Sequence, residues 1–308
     1  MICESPLQAF CLDPSAQKVC GIVDFSKLVD GLTPRIIFNS WLVNGAFPKL
    51  CSLMEQRLCR PVMLPCGKCL ACRNRHLIDV SLRMQHELIT TVQPSTFLTL
   101  TYNEAHSCNT LDYGDIQSFL KRLRTKALSP FRFSCCGEYG KLHNRPHWHF
   151  ILYGFYPSDG ILQSQTRGGN YYVSDTISKI WPFGFHLFAP ASAGACSYLA
   201  KYLVKQEDGI FKQSLRPGVG FEYYRKYHVE FYSRGFCVMN GFKLPIPDYY
   251  DRILEREDKK MYEEVCKKRL PCYNIYDLSE FLDFHRHDAY HGKARCLKIS
   301  TQPEKGVL

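Results

Sequence analysis

The chain has 308 residues, with 39 Lys and Arg against 29 Asp and Glu, so its formal net charge is +10 with neutral histidines. At 45% hydrophobic and 14% aromatic residues, the composition predicts a globular protein and excludes a disordered or collagen-like chain. The sequence has neither an uninterrupted apolar run of about 18 residues nor a basic, then apolar N-terminal start, so we expect no membrane span and no export.

The sixteen cysteines are the most unusual feature of the composition. A chain of this size without an export signal belongs in a reducing compartment, so we expect free thiols and some metal ligands rather than disulfides. The surplus of positive charge together with many aromatic residues favours a polyanionic partner such as nucleic acid, although basic surfaces without such a partner are common.

The first half of the chain becomes readable only after its N-terminal segment, 1–60, whose mixed apolar stretches fit no element. A compact cysteine cluster follows at 66–72, and apolar residues at helical spacing predict a helix over 73–90. The β-rich run 96–102 predicts a strand. A second helix is predicted over 115–126, and its basic residues are Lys121, Arg122, Arg124 and Lys126.

The second half continues with two strand candidates, Phe131 to Glu138 and Pro146 to Tyr153, which a polar loop separates. After a glycine-rich break, the pattern predicts a helix from Gly194 to Lys205. A β-rich stretch from Phe221 to Val238 follows, and a charged helix runs from Asp248 to about Lys268. This order of strand, helix, strand, strand, helix and strand indicates an α+β domain on an antiparallel sheet.

These elements suggest three regions. Residues 1–92 form an N-terminal region with the cysteine cluster and a basic helix, 93–240 form the sheet domain, and 241–308 form a helical C-terminal extension.

The strongest chemical signal lies in the second strand candidate. Alternate residues of a strand share a face, so His147 and His149 project side by side while Trp148 points to the other face. If the two strand candidates form a hairpin, Glu138 lies near His147, and the three side chains make a two-histidine, one-carboxylate site for a divalent ion. Two histidines on a solvated strand face are often ordinary surface residues, and His143 in the loop competes as a third ligand.

A helix with two tyrosines carries the second signal. On a helical wheel, Tyr198 and Tyr202 are about 40° apart, with Lys201 and Lys205 beside them and an aliphatic stripe opposite. We therefore expect both hydroxyls to face away from the core, and we expect the lysines to favour the phenolate. Core aromatics at helical spacing are the alternative interpretation.

The cysteine cluster is the third signal. Cys66, Cys69 and Cys72 supply three thiolates within one short segment, which suits a single zinc ion with a fourth ligand elsewhere. Cys59 is the nearest candidate for that ligand. An iron–sulfur cluster also accepts this spacing, but the downstream Cys-Pro of bacterial ferredoxins is missing. The basic residues around the cluster suit phosphate contact, and two further cysteines are expected to be packed or reduced, Cys135 and Cys136.

These elements, in this order, resemble the HUH superfamily of replication initiators, in which U stands for a hydrophobic residue. The segment His147-Trp148-His149 matches the motif that names the superfamily, Phe97 to Tyr102 resembles the upstream strand motif, and Tyr198 to Tyr202 resembles the two-tyrosine motif. The sequence is most similar to replication initiators of the gokushovirus group of microviruses. Shared landmarks are Pro65 to Arg73, Gly137 to Gly140, Arg145 to His149, Tyr198 to Lys205, and Cys3 with Pro6-Leu7.

The resemblance implies a central antiparallel sheet of the ferredoxin-like or RRM-like HUH endonuclease type, with helices packed on it. It implies a catalytic Mg²⁺ or Mn²⁺ ion and a covalent 5′-phosphotyrosine intermediate. It also favours Cys3 as the fourth ligand of the structural Zn²⁺.

The resulting hypothesis is a metal-dependent DNA nickase and strand transferase that starts and ends rolling-circle replication of a phage genome. The ion would polarise the scissile phosphate, Tyr198 or Tyr202 would attack, and the other tyrosine would act after one round. Lys201 and Lys205 would neutralise phosphate charge. The 3′-OH released by the first cleavage would serve as the primer.

The expected partners are single-stranded DNA, the origin on replicative-form DNA, and the host DNA polymerase, all in the cytoplasm of a bacterial host. A host helicase is expected because the chain has no P-loop motif. Two rival functions remain, a zinc-stabilised nucleic-acid-binding protein without catalysis and a metal-dependent phosphodiesterase that uses water. Only the nickase would form a covalent adduct with DNA.

Overall fold

The structure of the chain is a computed structural model, and it describes residues 7–11, 19–23, 60–106, 110–140, 145–166, 168–205 and 210–269. These residues belong to two compact units. His76–Tyr250 lies in one of them, and the described residues before His76 and after Tyr250 lie in the other. The three-region division of the sequence stays a prediction.

A small antiparallel sheet forms where the sequence showed no readable pattern. Its strands are β1 (Leu7–Cys11), β2 (Val19–Val23) and β3 (Arg60–Leu64). The first strand lies in the middle and pairs with both others.

A seven-stranded sheet is the centre of the other unit. Its strands are β4 (Thr96–Thr101), β5 (Arg132–Tyr139), β6 (Pro146–Tyr153), β7 (Gly160–Thr166), β8 (Gly169–Ser174), β9 (His186–Pro190) and β10 (Ile210–Gln213). They run in the order β10-β5-β6-β4-β9-β8-β7, and every neighbouring pair is antiparallel.

The helices account for most of the remaining described residues. They are α1 (Leu70–Thr90), α2 (Tyr113–Lys126), α3 (Asp175–Ile180), α4 (Ala193–Lys205), α5 (Phe221–Arg234), α6 (Asp248–Glu257) and α7 (Lys259–Arg269). A short hairpin follows α5, with strands β11 (Cys237–Met239) and β12 (Phe242–Leu244). None of the helices in the described part of the chain has both the length and the apolar composition needed to cross a bilayer.

Helices cover the large sheet on both faces. On one face, Trp148 and Phe150 of β6 pack in a buried cluster with Phe119 of α2 and Ile177 of α3. On the other face, Ile151 packs with residues of α4 and α1, among them Leu199 and Met84. The prediction of an α+β protein on an antiparallel sheet is therefore confirmed.

The β-rich assignment of Phe221 to Val238 is wrong, because most of this stretch is the helix α5. Its aromatic residues suggested strand propensity. In the structure, Tyr224 and Phe231 are spaced seven residues apart, so they lie on one helical face, and both rings contact the ring of Tyr250 in α6. Gly235 ends the helix in the left-handed conformation, so tertiary packing and this cap decided against a strand.

The single helix expected from Asp248 to about Lys268 is in fact two helices, α6 and α7. Asp258 separates them. Its backbone N–H donates to the Leu254 carbonyl, and its carboxylate accepts a hydrogen bond from the Met261 N–H at 2.9 Å. An aspartate that accepts from the third residue of the next helix is a favourable N-cap, so it starts a new helix here.

Gly184 sits where the chain passes very close to the end of β4. A Cβ atom at this position would clash with the Thr101 carbonyl oxygen and would lie 2.6 Å from the Asn103 amide nitrogen. The adjacent Phe185 exchanges two backbone hydrogen bonds with Thr101, at 2.8 and 3.1 Å. Only a glycine allows this approach, which extends the pairing of β9 with β4 by one residue.

We expect Gly184→Ala to lower the free energy of unfolding by about 1–3 kcal/mol, because backbone atoms cannot move away as a flexible side chain would. Gly194→Ala in α4 is the matched control. Its Cβ would meet only the Ser192 hydroxyl at 3.6 Å, and alanine favours the helix, so this variant should be neutral or more stable. Urea unfolding of both variants measures the difference, and equal stability would contradict the close approach.

Candidate active site

The strands that carry the predicted metal ligands form the expected hairpin. In the register of β5 with β6, Glu138 pairs with His147 and Cys136 pairs with His149. Both histidines lie on the face opposite to Trp148, because Trp148 belongs to the cluster on the other side of the sheet. The structure therefore places Glu138, His147 and His149 together at one end of the hairpin.

His149 has both ring nitrogens in contact with side chains. Its Nε2 lies 2.6 Å from Oε1 of Glu138, and its Nδ1 lies 2.9 Å from the Thr99 hydroxyl oxygen. The His149 and Glu138 side chains are only 9% and 16% exposed, so water competes little for these contacts. The imidazole is held between a carboxylate and a hydroxyl, which fixes the direction of each nitrogen.

His147 is oriented by the backbone. Its Nδ1 lies 2.7 Å from the carbonyl oxygen of Arg145, and a carbonyl can only accept a hydrogen bond. Nδ1 therefore carries a proton, and the lone pair of the neutral ring is on Nε2. This nitrogen is the one that can bind a metal ion.

The two tyrosines of α4 complete the cluster. The ring of His149 is stacked with Tyr202 and meets Tyr198 edge-on, at centroid distances of 5.9 and 5.5 Å. The two tyrosine hydroxyl oxygens are 2.6 Å apart, and Tyr202 also forms a hydrogen bond with the Glu138 carboxylate. The predicted nucleophiles and two of the three predicted metal ligands are thus in direct contact.

The helical wheel was wrong about the surroundings of these tyrosines. Tyr202 is only 8% exposed and packs in the same cluster as Leu199, whereas Lys201 is exposed. The buried face of α4 is wider than its aliphatic stripe, because the helix packs on the sheet and also on α1, where Ser197 and Ser81 are hydrogen-bonded at 3.2 Å. The backbone of Lys205 ends α4, and its side chain lies outside the described residues.

This packing also changes the acidity of both hydroxyls. Burial raises the pKa of Tyr198 to about 12, and the negative charge of Glu138 acts in the same direction. Burial and the hydrogen bonds to Tyr198 and Glu138 raise the pKa of Tyr202 above its ordinary value. The expectation that lysines favour the phenolate is therefore wrong, because the hydroxyls face a carboxylate inside a packed layer.

Glu138 is ionised at neutral pH. Burial raises its pKa, but hydrogen bonds from His149 and Tyr202 outweigh burial, so the pKa lies below its ordinary value. Two imidazoles and a carboxylate are a donor set that suits a divalent transition ion such as Mn²⁺. By donor type and shared face the residues fit such an ion, and the assignment of Glu138, His147 and His149 as metal ligands stays a prediction.

Within the described ranges, the one group of three His, Cys, Asp or Glu donors whose ligand atoms all lie within 4.8 Å of one another is Cys66, Cys69 and Cys72. The Lys68 and Cys69 N–H groups donate to the Cys66 sulfur at 3.4 and 3.3 Å. Such donors stabilise a thiolate. The group can hold a metal ion such as zinc.

The other predicted cysteines divide into two sets. Cys135 and Cys136 are fully buried strand residues, and burial raises the pKa of both thiols, which confirms that they are packed, protonated side chains. The two candidates for a fourth zinc ligand, Cys3 and Cys59, lie outside the described residues, as does His143.

Sequence reasoning missed Thr99 as a site residue. It was noticed only as part of a β-rich run, although its place in the strand pattern carried a signal. Thr99 and Thr101 alternate along β4, and in the structure they pair with His149 and His147. A threonine opposite each histidine is visible in the sequence only after the order of the strands is known.

The comparisons with known proteins agree with this site. A family model for replication-associated proteins of the ORF2 type matches residues 95–207. Replication-associated protein VP4 of Bdellovibrio phage phiMH2K is 30% identical over 270 residues, which cover 79% of this chain and 85% of that relative. No solved structure gives a significant match.

Two further relatives have similar names. Replication-associated protein ORF4 of Chlamydia phage 1 is 28% identical over 67% of this chain and 59% of its own length. Replication-associated protein ORF2 of Spiroplasma virus 4 is 27% identical over 72% of this chain and 79% of its own length. With most of the Bdellovibrio phage protein covered and the family match lying across the histidine and tyrosine elements, the chain belongs to the replication-associated proteins of microvirus-type phages.

Proposed function

We propose that this protein is an HUH endonuclease that nicks and rejoins single-stranded DNA at a phage origin, and so starts and ends rolling-circle replication. The observation that carries the proposal is the contact of two tyrosine hydroxyls with a histidine–glutamate pair on one face of the sheet. Tyrosine supplies the nucleophile, and a His₂Glu donor set supplies the place for an ion beside it.

A divalent ion, Mg²⁺ or Mn²⁺, held by His147, His149 and Glu138 would supply Lewis-acid polarisation of the scissile phosphate. The protein's own residues do the rest. The attacking tyrosine oxygen bonds to phosphorus while the bond from phosphorus to the 3′ oxygen breaks, which leaves a 3′-OH and a 5′-phosphotyrosine. The hydrogen-bonded chain from Tyr198 through Tyr202 to Glu138 gives the attacking hydroxyl a route for its proton to a carboxylate.

Two hydroxyls in contact support two successive transfers. After one round, the second tyrosine cleaves the regenerated origin, and the released 3′-OH attacks the first phosphotyrosine to close the circle. Lys201 and Lys205 follow the tyrosines on the same helix, and their role would be to neutralise phosphate charge. The substrate is phage single-stranded and replicative-form DNA, a host helicase and polymerase act with the protein, and the reaction takes place in the host cytoplasm.

The tyrosine variants test the proposed function. Tyr198→Phe and Tyr202→Phe should each still form a covalent adduct with an origin oligonucleotide through the remaining tyrosine, but each should fail in sustained circle production. The double variant should form no adduct. Removing a hydroxyl keeps the ring and most of its packing, so a loss is chemical. Denaturing gels and mass spectrometry of the adduct provide the measurement.

The same experiment separates the rival functions, because a water-using phosphodiesterase cleaves without an adduct and a non-catalytic binding protein does neither. If one single variant loses all cleavage and the other works through many rounds as the wild type does, the alternating scheme is wrong and one tyrosine does both steps.

The predicted metal ligands have a separate test. We expect His147→Ala and His149→Ala to lower nicking at least about 100-fold at limiting Mn²⁺, because each removes one of three ligands. His76→Ala, an exposed histidine of α1, should nick as the wild type does. DNA binding without metal should be unchanged in all three variants. Near wild-type nicking by both ligand variants at limiting metal would refute the assignment.

Thr99 is expected to position His149 through the contact with Nδ1. Thr99→Val keeps the shape and removes the hydroxyl, so the Mn²⁺ concentration for half-maximal nicking should rise about 10- to 100-fold, and Thr99→Ser should restore it. Thr101→Val is the matched control on the same strand and face, because the Thr101 hydroxyl donates to the Phe185 carbonyl and not to a histidine. Identical metal titrations of the two valine variants would rule out this role.

For the cysteine cluster, we propose a structural zinc ion bound by Cys66, Cys69, Cys72 and a fourth ligand, with Cys3 favoured. Purified protein should contain about one zinc per chain. Cys69→Ser should release it and lower the unfolding temperature, whereas Cys135→Ala, a thiol buried in the sheet core, should keep it. Elemental analysis that finds no zinc in the wild type, with all three cysteines freely alkylated, would contradict the assignment.

A further inference from the structure

The face of the sheet that carries the histidines continues beyond them as an exposed apolar surface. Phe185 is 69% exposed, Leu187 is 39% exposed and Ile161 is 60% exposed. Single exposed apolar residues are ordinary on a protein surface, but a contiguous group indicates a binding surface.

The strand register shows that these residues continue the rows of the site. One row runs from His147 to Thr101, which pairs with Phe185 by two backbone hydrogen bonds. The next row runs from His149 to Thr99 and on to Leu187. Directly paired residues of antiparallel strands share a face, so Phe185 and Leu187 point to the same side of the sheet as the two histidines.

The second row extends to the edge of the sheet. Tyr172 pairs with Phe188, so the same antiparallel register puts Val173 opposite Leu187, and Val173 pairs with Ile161 of the edge strand β7. We call Phe185, Leu187, Val173 and Ile161 the apolar stripe. Strands are about 4.8 Å apart, so the stripe begins about 10 Å from the histidines and ends about 20 Å from them.

We propose that the apolar stripe is a stacking surface for unpaired bases of the DNA strand that passes through the site. The place of the scissile phosphate, between the histidines and the tyrosines, rests on the proposed function. A strand held there must continue over an adjacent surface, and the stripe is continuous with the site on one side. Its length suits a few nucleotides.

The chemistry of the stripe selects bases over phosphates. None of its four side chains carries a charge, so it offers nothing to neutralise a backbone phosphate. Every base has an apolar π face that stacks on aromatic and aliphatic side chains. In a duplex these faces are covered by neighbouring base pairs, so the stripe should distinguish single-stranded from double-stranded DNA.

The test measures binding of the full chain to fluorescent single-stranded and duplex oligonucleotides in EDTA, so that cleavage plays no part. Phe185→Ala should weaken binding to the single strand about 5- to 100-fold, the range for loss of one stacked base, and should leave duplex binding unchanged. Phe185→Trp should keep the affinity. Phe242→Ala is the matched control, because Phe242 is 71% exposed but lies in the β11–β12 hairpin, outside this sheet.

A Phe185→Ala variant that binds single strands as tightly as Phe242→Ala does would overturn the proposal, as would equal weakening for duplex DNA. Leu187→Ser provides a second variant, expected to weaken single-strand binding in the same direction. If no tyrosine adduct forms and Phe185→Ala still weakens single-strand binding, the proposed function fails and the stripe stands. If adducts form and Phe185→Ala binds normally, the stripe fails alone.

Discussion

The antiparallel pairing of β5 with β6 is the constraint on which the site depends. It puts Glu138 opposite His147 and Cys136 opposite His149. A slip of one residue would turn either the carboxylate or the histidines to the opposite face, among Trp148 and Phe150. Burial of these two aromatic side chains on the core face is therefore what keeps the polar groups aligned on the other face, and it makes the register costly to change.

The packing of α4 on that face converts a pair of strands into a reactive cluster. Buried polar groups must be hydrogen-bonded, and here the Tyr198, Tyr202, Glu138 and His149 side chains satisfy one another. The same packing raises the pKa of Tyr198 to about 12. The tyrosines therefore rest as neutral hydroxyls, and a nucleophile forms only when the proton can leave.

A second buried polar group anchors the opposite end of β5. Glu87 of α1 accepts a hydrogen bond from the Gly220 N–H at 2.6 Å and forms an ion pair with Arg132 at 3.0 Å. Burial raises the pKa of Glu87, so this carboxylate depends on both partners to stay ionised. Because Arg132 begins the strand on which Glu138 lies, this contact holds the start of the strand while the site uses its end.

The sequence by itself determined what depends on local geometry. The period of two in a strand put His147 and His149 on one face, the loop between two strand candidates indicated their hairpin, and the short spacing brought the three cysteine sulfurs of the cluster together. Tertiary structure alone decided which face of α4 is buried, that Phe221 to Arg234 is a helix, and that Thr99 contacts His149. Alternation and spacing are properties of one segment. Burial and contact depend on which element packs against it, and distant parts of the chain determine that.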